Sequence, residues 1–338
     1  MNILVTGGGG YVGSTLIPKL IQDGHYVKCL DRFFFGMDYL SSKEFASNIE
    51  LIKDDIRWFD PIILDNVDVV FDLAALSNDP VGDLNPEKTF EINHLGRVRV
   101  ATESKKHNVK RYVLASSASV YGQQKNIADE SATVFPITAY SKANRKAEID
   151  VLNLHDDNFC VSVLRFSSLY GISPRMRFDI SVNGMFLDLF NTGKIIVRGK
   201  NNQRPFLHIQ DAVEAYKSIL KSDTNSTGGE IFNVGSEDQN YSIGDLAKKI
   251  SDAIGIDYDL ELADSNDHRS YAASFKKIRE ILDYHPRRTI EDGSREIFQC
   301  LKTGELEPNL KTITLKWYQH IQSNPSLLRE LSIDGKFL

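Results

Sequence analysis

Short apolar runs alternate with amphipathic segments along the first two thirds of the chain. The run at residues 2–6 leads into a segment whose apolar residues, Leu16, Ile17, Leu20 and Ile21, recur at helical spacing. Further apolar runs of strand length occupy residues 26–30, 49–53, 67–73, 111–115, 159–166 and 230–234. Helical patterns between them span residues 86–107, 138–155 and 210–221. This alternation predicts an α/β fold, with a doubly wound parallel sheet covered by helices on both faces.

The regular alternation ends near residue 170. From residue 235 onwards, short helical patterns and loops alternate without a clear strand rhythm. We therefore expect the sheet domain to comprise residues 1–169 plus about 205–234. A smaller α+β lobe, expected to bind the substrate, would comprise about 170–204 plus 235–338.

A glycine-rich turn follows the first apolar run. Gly7 allows a tight turn, Gly10 lets the backbone approach a pyrophosphate, and Gly13 lets the next helix pack closely on the sheet. Asp31 ends the second strand, 18 residues after Gly13, where an acid can bind the ribose hydroxyls of a dinucleotide. A carboxylate there repels a 2′-phosphate, so NAD is favoured over NADP, although Arg32 weakens that preference. The alternative is a glycine-rich turn that binds no ligand.

Ligands of doubly wound sheets bind at the carboxyl ends of the strands. Asp55 follows the strand at 49–53 and precedes Ile56, so this pair contacts adenine or caps a helix. The other residues expected along the cofactor belong to the glycine turn or to strand ends: Tyr11, Val12, Leu73, Ala74, Ala75, Ser116 and Phe166.

Ser117 and Tyr140 are the candidate catalytic residues. Ser117 ends a predicted strand, and Tyr140 opens the following helix. A phenol can exchange a proton with a sugar hydroxyl while hydride leaves the carbon, provided that its pKa falls from about 10 toward neutral. The serine hydroxyl would bridge the phenol and the substrate oxygen. Most serines and tyrosines are structural. The catalytic interpretation therefore depends on Ser117 and Tyr140 following a dinucleotide-binding motif in that order.

Four motifs together resemble a known family. They are Thr6 to Gly13, Ser116 to Gly122, Tyr140, and Arg204 to Asp211. In this order they resemble the extended short-chain dehydrogenase/reductases and, within them, the NAD-dependent nucleotide-sugar epimerase/dehydratase family, over about residues 1–300. These enzymes have a Rossmann domain that binds NAD.

The resemblance implies several roles. Asp55 and Asn93 would lie along the cofactor, Asp55 near adenine and Asn93 in a structural or proton-relay role. Ser117 and Tyr140 would form the catalytic pair. The helices at 86–107 and 138–155 resemble the pair that forms a homodimer interface in this family, although they equally fit helices that cover one face of the sheet.

Position 144 departs from the family pattern. The family has a lysine four residues after its tyrosine, whereas this chain has Asn144. Four residues are one helical turn, so a cation there would lie beneath the phenol and lower its pKa by about 1–3 units. Asn144 can still bind the nicotinamide ribose but supplies no charge. Asn144→Lys is therefore predicted to raise activity, unless the charge is supplied elsewhere.

Residues 117–119 bear on which reaction the protein catalyses. The dehydratase branch of the family has Thr-Asp-Glu where this chain has Ser117-Ala118-Ser119, so an elimination would lack its acid and base. Epimerisation at C4 of a UDP-, dTDP- or GDP-sugar is favoured. A nucleotide-sugar 4-dehydrogenase or reductase, or a catalytically weak NAD-binding regulatory protein, are the alternatives. Residues 172–179 resemble a subgroup that includes enzymes of surface-polysaccharide biosynthesis.

The diphosphate of such a substrate needs cations, ideally planar guanidinium groups. Arg204 and Arg269 are the first candidates, with Asn183 as an amide donor, and Arg175 and Arg177 are the second. For each arginine, a surface salt bridge is the alternative.

Composition narrows the function classes. A net charge of −6 argues against nucleic acid as a partner, and no apolar stretch reaches the ~18 residues of a membrane span. Three widely spaced cysteines indicate free thiols in the cytoplasm, and the eight histidines form no ligand-spaced cluster, so no metal is expected.

Overall fold

The computed structural model describes residues 1–255, 259–263 and 267–338. Its strands are β1 (Asn2–Thr6), β2 (Tyr26–Asp31), β3 (Ile49–Lys53), β4 (Val69–Asp72), β5 (Arg111–Ser117), β6 (Cys160–Phe166), β7 (Ser168–Tyr170), β8 (Lys194–Arg198), β9 (Gln203–His208), β10 (Glu230–Val234), β11 (Asn240–Ser242) and β12 (Asp259–Ala263). Its α-helices are α1 (Gly13–Gln22), α2 (Asp79–Gly82), α3 (Pro86–Phe90), α4 (Arg97–Lys106), α5 (Ala139–Leu152), α6 (Ser181–Thr192), α7 (Ile209–Lys221), α8 (Thr224–Thr227), α9 (Ile243–Ile254), α10 (Lys276–Leu282), α11 (Ile290–Thr303), α12 (Thr314–Ser323) and α13 (Pro325–Leu331). Short 3₁₀ turns cover Asp38–Leu40, Pro61–Leu64, Ala118–Tyr121, Glu237–Gln239 and Leu310–Thr312.

The central sheet has seven strands in the order β10-β6-β5-β4-β1-β2-β3, all parallel. The prediction of a doubly wound parallel sheet is confirmed. Ile3, Leu4 and Val5 are all fully buried, because helices cover both faces of the sheet. Ile3 and Val5 pack into a core with α1 and α7, whereas Leu4 packs into a core with α4 and α5.

The helix predicted at 86–107 is divided by a π-helical turn. Helix α3 runs into the π-helix Glu91–Gly96, and α4 follows without a break. Within the π turn the side-chain amide of Asn93 exchanges two hydrogen bonds with the backbone of Leu76. Such turns are rare and are frequent at functional sites. Here the turn lies immediately before Arg97, the first residue of α4.

Two smaller sheets lie beyond the central one. They have the orders β11-β9-β7 and β12-β8. Helices α6, α9 and α11 pack together there through Val182, Phe186, Leu246, Ile250 and Ile297.

The segments after residue 270 do not all pack in this lobe. Phe275 and Ile278 join the core of the central sheet. Trp317, Tyr318 and Phe337 pack around Phe34, the residue three positions after β2. The carboxyl-terminal segment thus returns to the edge of the sheet at which β2 ends.

Candidate active site

A cavity of about 950 Å³ opens at the carboxyl ends of the central strands, between the sheet and the smaller lobe. This is the crevice in which doubly wound folds bind their ligands, and its size is at the upper end of ligand sites. Most residues predicted along the cofactor line it: Gly7, Gly10, Tyr11, Val12, Gly13, Asp31, Arg32, Asp55, Ile56, Leu73, Ala74, Ala75, Ser116 and Phe166.

The glycine turn is as close-packed as its sequence predicts. Gly7 has a φ of +66°, and a Cβ there would lie 2.7 Å from the backbone of Ala74. A Cβ on Gly13 would lie 2.4 Å from Cα of Gly8, so α1 begins against the turn. A side chain at Gly7 would push against the end of β4, and one at Gly13 would displace the turn at Gly8.

Asp31 is held in place by backbone groups. Its carboxylate accepts hydrogen bonds from the N–H groups of Gly9, at 2.9 Å, and Phe33, at 2.6 Å. Burial raises the pKa of Asp31, and these two donors oppose that rise. A dinucleotide fits this end, since a carboxylate faces the ribose position and a side-chain-free turn faces the pyrophosphate position.

Arg32 and Asp55 form an ion pair at 2.7 Å. Asp55 also pairs with Arg57 at 2.8 Å, and these guanidinium groups lower its pKa although burial opposes them. Arg32 donates to the backbone oxygens of Leu331 and Lys336. Asp55 therefore compensates the charge of Arg32, and the guanidinium group holds the carboxyl-terminal segment through hydrogen bonds.

Two of the predicted polar residues are hydrogen-bonded within the protein. Asn93 is fully buried and bonded to Leu76, and it is not among the described residues that line the cavity. Ser116 lines the cavity, and its hydroxyl donates to Glu148 at 2.6 Å. Asn93 therefore holds the backbone of Leu76. Of its two implied roles, this contact fits the structural one.

Ser117 and Tyr140 both line the cavity that the glycine turn also lines. Ser117 ends β5 and accepts a hydrogen bond from the N–H of Ser119 at 3.1 Å, and Tyr140 lies in the first turn of α5, which Thr138 and Ser141 cap. Burial raises the pKa of Tyr140, whereas the positive charge of Arg97 and the polar side chains of Ser117 and Asn144 lower it. The carboxylate of Asp79 acts in the opposite direction to Arg97.

Asn144 does not face the cavity. Its Nδ2 donates to the backbone oxygen of Tyr140 at 3.0 Å, and its Oδ1 accepts from Nη1 of Arg97 at 2.7 Å. Arg97 does line the cavity, whereas Asn144 is not among the described residues that do. The side chain at position 144 therefore binds a cation that comes from α4.

The predicted substrate cations are already paired. Arg204 donates to Asp267 at 3.0 Å, and Arg269 donates to Asp267 at 2.7 Å and also forms an ion pair with Asp79. Both arginines line the cavity. They can reach a ligand there while keeping their acidic partners.

The other three substrate candidates differ from one another. Asn183 is fully buried, donates to the backbone oxygen of Arg177 at 2.8 Å and lies outside the described cavity lining. Arg177 and Asp179 form a bidentate pair at 2.9 and 3.0 Å. Arg175 donates to Thr314 and stacks over Phe35, and burial lowers its pKa to about 10. Among the described residues, Arg175 has no carboxylate partner within ion-pair distance.

Several residues at the site were not predicted. Asp79 and Asp267 form ion pairs with Arg269. The hydroxyl of Ser119 is buried and has no hydrogen-bond partner among the described residues. Arg97 supplies a positive charge. The Asp-x-Arg spacing of Asp267 and Arg269 is a local signal that could have indicated their pairing. No local pattern connects Arg97 with Asn144, because they lie 47 residues apart on different helices.

In the described ranges, no group of three or more His, Cys, Asp or Glu side chains is arranged to hold a metal ion. Within the same part of the chain, the helices all fall short of the length and apolar character that a membrane crossing requires.

A model of the NAD-dependent epimerase/dehydratase family matches residues 3–235, more than two thirds of the chain. The chain belongs to this family. Membership confirms the resemblance inferred from the motifs, the choice of NAD as cofactor and the assignment to NAD-dependent enzymes.

The similar proteins differ in the reactions for which they are named. A UDP-glucuronic acid decarboxylase of Xenopus tropicalis is 27% identical over 305 residues, which cover 86% of this chain and 70% of the relative. A Bacillus subtilis protein named as an uncharacterized UDP-glucose epimerase is 26% identical over 309 residues, covering 87% of this chain and 95% of the relative.

Among solved structures, the UDP-glucuronic acid 4-epimerase of Bacillus cereus, in complex with UDP-glucuronic acid and NAD, has a TM-score of 0.80 at 23% identity. The match covers 90% of this chain and 99% of that structure. It confirms the Rossmann-type fold of this member of the epimerase/dehydratase family.

Proposed function

We propose that this protein is an NAD-dependent nucleotide-sugar epimerase that acts at C4 of the sugar. The observation that carries the proposal is that Ser117 and Tyr140 line the same cavity as the glycine turn and that their side chains are hydrogen-bonded to each other. A sugar bound between them and the cofactor would present its C4 hydroxyl to the phenol. Relatives named for UDP-glucose and UDP-glucuronic acid support a nucleotide-sugar as the substrate.

The chain supplies binding, orientation and a proton acceptor. NAD, when bound, accepts a hydride from C4 of the sugar and can return it. Tyr140 takes the proton of the C4 hydroxyl as the carbon is oxidised and gives it back during reduction. Ser117 hydrogen-bonds the same oxygen and keeps it in line with the phenol. The configuration at C4 would be inverted if the carbon were reduced from the face opposite to the one at which it was oxidised.

Arg204 and Arg269 are proposed to bind the substrate diphosphate. Their pairing with Asp267 and Asp79 fixes the guanidinium planes before substrate arrives, which lowers the cost of ordering them. The pKa of Asp267 is lowered to about 2 by Arg269 and Arg204 although burial opposes them, so this anchor stays ionised across the physiological range.

The lack of an acidic side chain at 117–119 supports an epimerase over a dehydratase. In this stretch, Ser117, Ala118 and Ser119 line or adjoin the cavity wall at the start of the turn Ala118–Tyr121. An elimination needs both a general acid and a general base beside the sugar, and these side chains have pKa values far from neutral or cannot ionise.

A substrate panel tests the proposal. The purified protein is incubated with NAD and with UDP-glucose, UDP-glucuronic acid, and dTDP- and GDP-hexoses, and the products are identified by NMR. We expect the C4 epimer of at least one sugar, without net formation of reduced cofactor. Stoichiometric reduced cofactor would instead indicate a 4-dehydrogenase. No turnover, with NAD retained through gel filtration, would indicate an NAD-binding regulatory protein.

We further propose that the protein forms a homodimer through the helices at 86–106 and 139–152. Leu95 and Ile149 are exposed there, at 57% and 44% of their surface. Apolar side chains on adjacent helices are typical of a buried subunit interface. Sedimentation equilibrium should give twice the monomer mass, and Ile149→Asp should give the monomer. A monomeric wild type would contradict the proposal.

The buried, unpaired thiols of Cys29 and Cys160 support the cytoplasm as the location. The resemblance of residues 172–179 supports a role in surface-polysaccharide biosynthesis.

A further inference from the structure

The cation that the family pattern places at position 144 has a replacement on another helix. Arg97 is the first residue of α4, directly after the π turn, and only 2% of its surface is exposed. Its Nη1 donates to Oδ1 of Asn144 at 2.7 Å, and its Nε donates to the backbone oxygen of Ala74 at 2.8 Å. The guanidinium group therefore lies at the end of the side chain at position 144.

The positive charge of Arg97 is available to groups in the cavity. Among the described residues it has no carboxylate within ion-pair distance, unlike Arg177, which is paired with Asp179. The buried carboxylate of Asp72 attracts Arg97 electrostatically from beyond ion-pair distance, and it accepts hydrogen bonds from Thr6 and Tyr112. A buried cation without an anion in direct contact is costly unless it serves another group.

We infer that Arg97, held by Asn144, is a positioning residue that supplies the positive charge beneath the Tyr140 phenol in place of a lysine at position 144. This inference rests on the proposed function, because it assigns a charge to the same proton acceptor. The inference also explains why residue 144 is an asparagine. Its amide can accept from the guanidinium group of Arg97 and donate to the backbone oxygen of Tyr140, whereas a lysine at 144 would repel Arg97.

Other charged groups face Tyr140 and are already compensated. Asp79, from α2, opposes ionisation of the phenol but is paired with Arg269 and accepts from Thr138. Arg177, from the loop after β7, is neutralised by Asp179. Tyr216, from α7, adds a buried neutral phenol. Arg97 is thus the group whose charge is left to favour the phenolate.

The inference reverses the expectation for Asn144→Lys. Alone, this change places an ammonium group against Arg97 and removes the oxygen that accepts from it. We expect no gain in kcat, and a lower melting temperature. In the double variant Arg97→Met, Asn144→Lys the ammonium replaces the guanidinium, and activity should return.

The test is the pH dependence of kcat for wild type and four variants. Arg97→Gln removes the charge but keeps an amide opposite Asn144, and it should shift the half-maximum upward by about 1–2 pH units and lower kcat at neutral pH about 10–100-fold. Arg97→Lys keeps the charge and should shift the profile by less than half as much. Arg97→Met, Asn144→Lys should restore the wild-type half-maximum to within about half a unit.

Arg99→Gln is the matched control. Arg99 is on the same helix and donates to the backbone oxygen of Phe59, and it lies outside the described lining of the cavity. Its loss should leave the pH profile in place. A purely structural Arg97 would give a pH-independent loss of kcat that follows melting temperature in all Arg97 variants, and that result would overturn the inference.

A second readout does not depend on turnover. Tyrosinate absorbance of the NAD-bound protein is titrated with base, and the Tyr140→Phe titration is subtracted to isolate one phenol among the 13 tyrosines. We expect Arg97→Gln to raise the pKa of that phenol by about 1–2 units. An unchanged pKa would overturn the inference even in a protein that turns over none of the panel sugars, whereas a failure of the panel alone would overturn only the proposed epimerase activity.

Discussion

The two ends of the cavity hold their charged groups in different ways. At the cofactor end, Asp31 is fixed by backbone donors from Gly9 and Phe33, all within one βαβ unit. At the catalytic end, Arg97 is fixed by Asn144 and by Ala74, which come from a different helix and a different strand end. The first arrangement is built from neighbours in sequence, and the second exists only after the sheet and its helices have assembled.

The difference teaches that the two ends should respond differently to substitution. Changes at the cofactor end act on the turn itself and therefore on stability and NAD binding together. Changes at the catalytic end act on the ionisation of one phenol, and so on turnover and its pH dependence. Four further substitutions sharpen or break this contrast.

The largest expected effect is that of Tyr140→Phe. Because it removes the proton acceptor, kcat should fall by about 10²–10⁴-fold with any sugar that is turned over. The amount of NAD retained through gel filtration should stay unchanged. Tyr26→Phe, at the start of β2, serves as the control and should keep wild-type turnover. Substantial activity in Tyr140→Phe would mean that another group accepts the proton.

Gly7→Ala should damage the cofactor end. The new Cβ would lie 2.7 Å from the backbone of Ala74, and the residue would have to keep a positive φ. The clash and the backbone strain together should lower the free energy of unfolding by about 2–4 kcal/mol and weaken NAD binding. Gly24→Ala is the matched control: its φ is +84° but nothing lies within 4 Å, so about 1 kcal/mol of backbone strain is expected and no loss of NAD affinity. Equal effects of the two variants would show that the close approach at Gly7 is unimportant. Urea unfolding and NAD titration measure both quantities.

Asp179→Asn tests the compensated pair beside the catalytic end. Burial alone would raise the pKa of Asp179, but Arg177 lowers it to about 2. A depressed carboxyl pKa stabilises the fold above pH ~4, and that contribution is lost as the pH falls toward 2. The variant should therefore be about 2 kcal/mol less stable than wild type at neutral pH, and the gap should narrow below pH ~4. A gap that stays constant with pH would show that the ionised pair is not its source.

The smallest expected effect is that of Asp31→Asn on cofactor choice. Loss of the carboxylate removes repulsion of a 2′-phosphate, so the ratio of NAD to NADP affinity should fall about 10-fold, equivalent to about 1.4 kcal/mol. Asp54→Asn, at the acid directly after β3, is the control and should keep the wild-type ratio. An unchanged ratio in Asp31→Asn would place the 2′ position of the ribose away from Asp31.

The glycine turn and Asp31 could be placed from sequence because the whole unit lies within 31 residues. Strand, turn, helix and acid constrain one another there. Tyr140 and Ser117 could be proposed because each follows from its position at a strand end or helix start. The parallel sheet also followed from local periodicity.

The catalytic charge could not be placed in this way. Position 144 identified a missing lysine, but no periodicity relates α4 to α5 at the level of one side chain. The same holds for Arg269 and Asp79, which are 190 residues apart. Asn93 and Asn183 were expected at ligands, yet each is buried in a helix and donates to the backbone of a neighbouring loop, because an amide serves packing as well as binding.

The most direct test of the central claim follows the hydrogen at C4. A nucleotide-sugar deuterated at C4 is turned over to its epimer in ordinary water, and the product is analysed by NMR. If the bound cofactor takes hydride from that carbon and returns it while Tyr140 handles only the hydroxyl proton, the deuterium stays at C4 of the epimer. Loss of the deuterium to solvent during epimerisation would contradict the account.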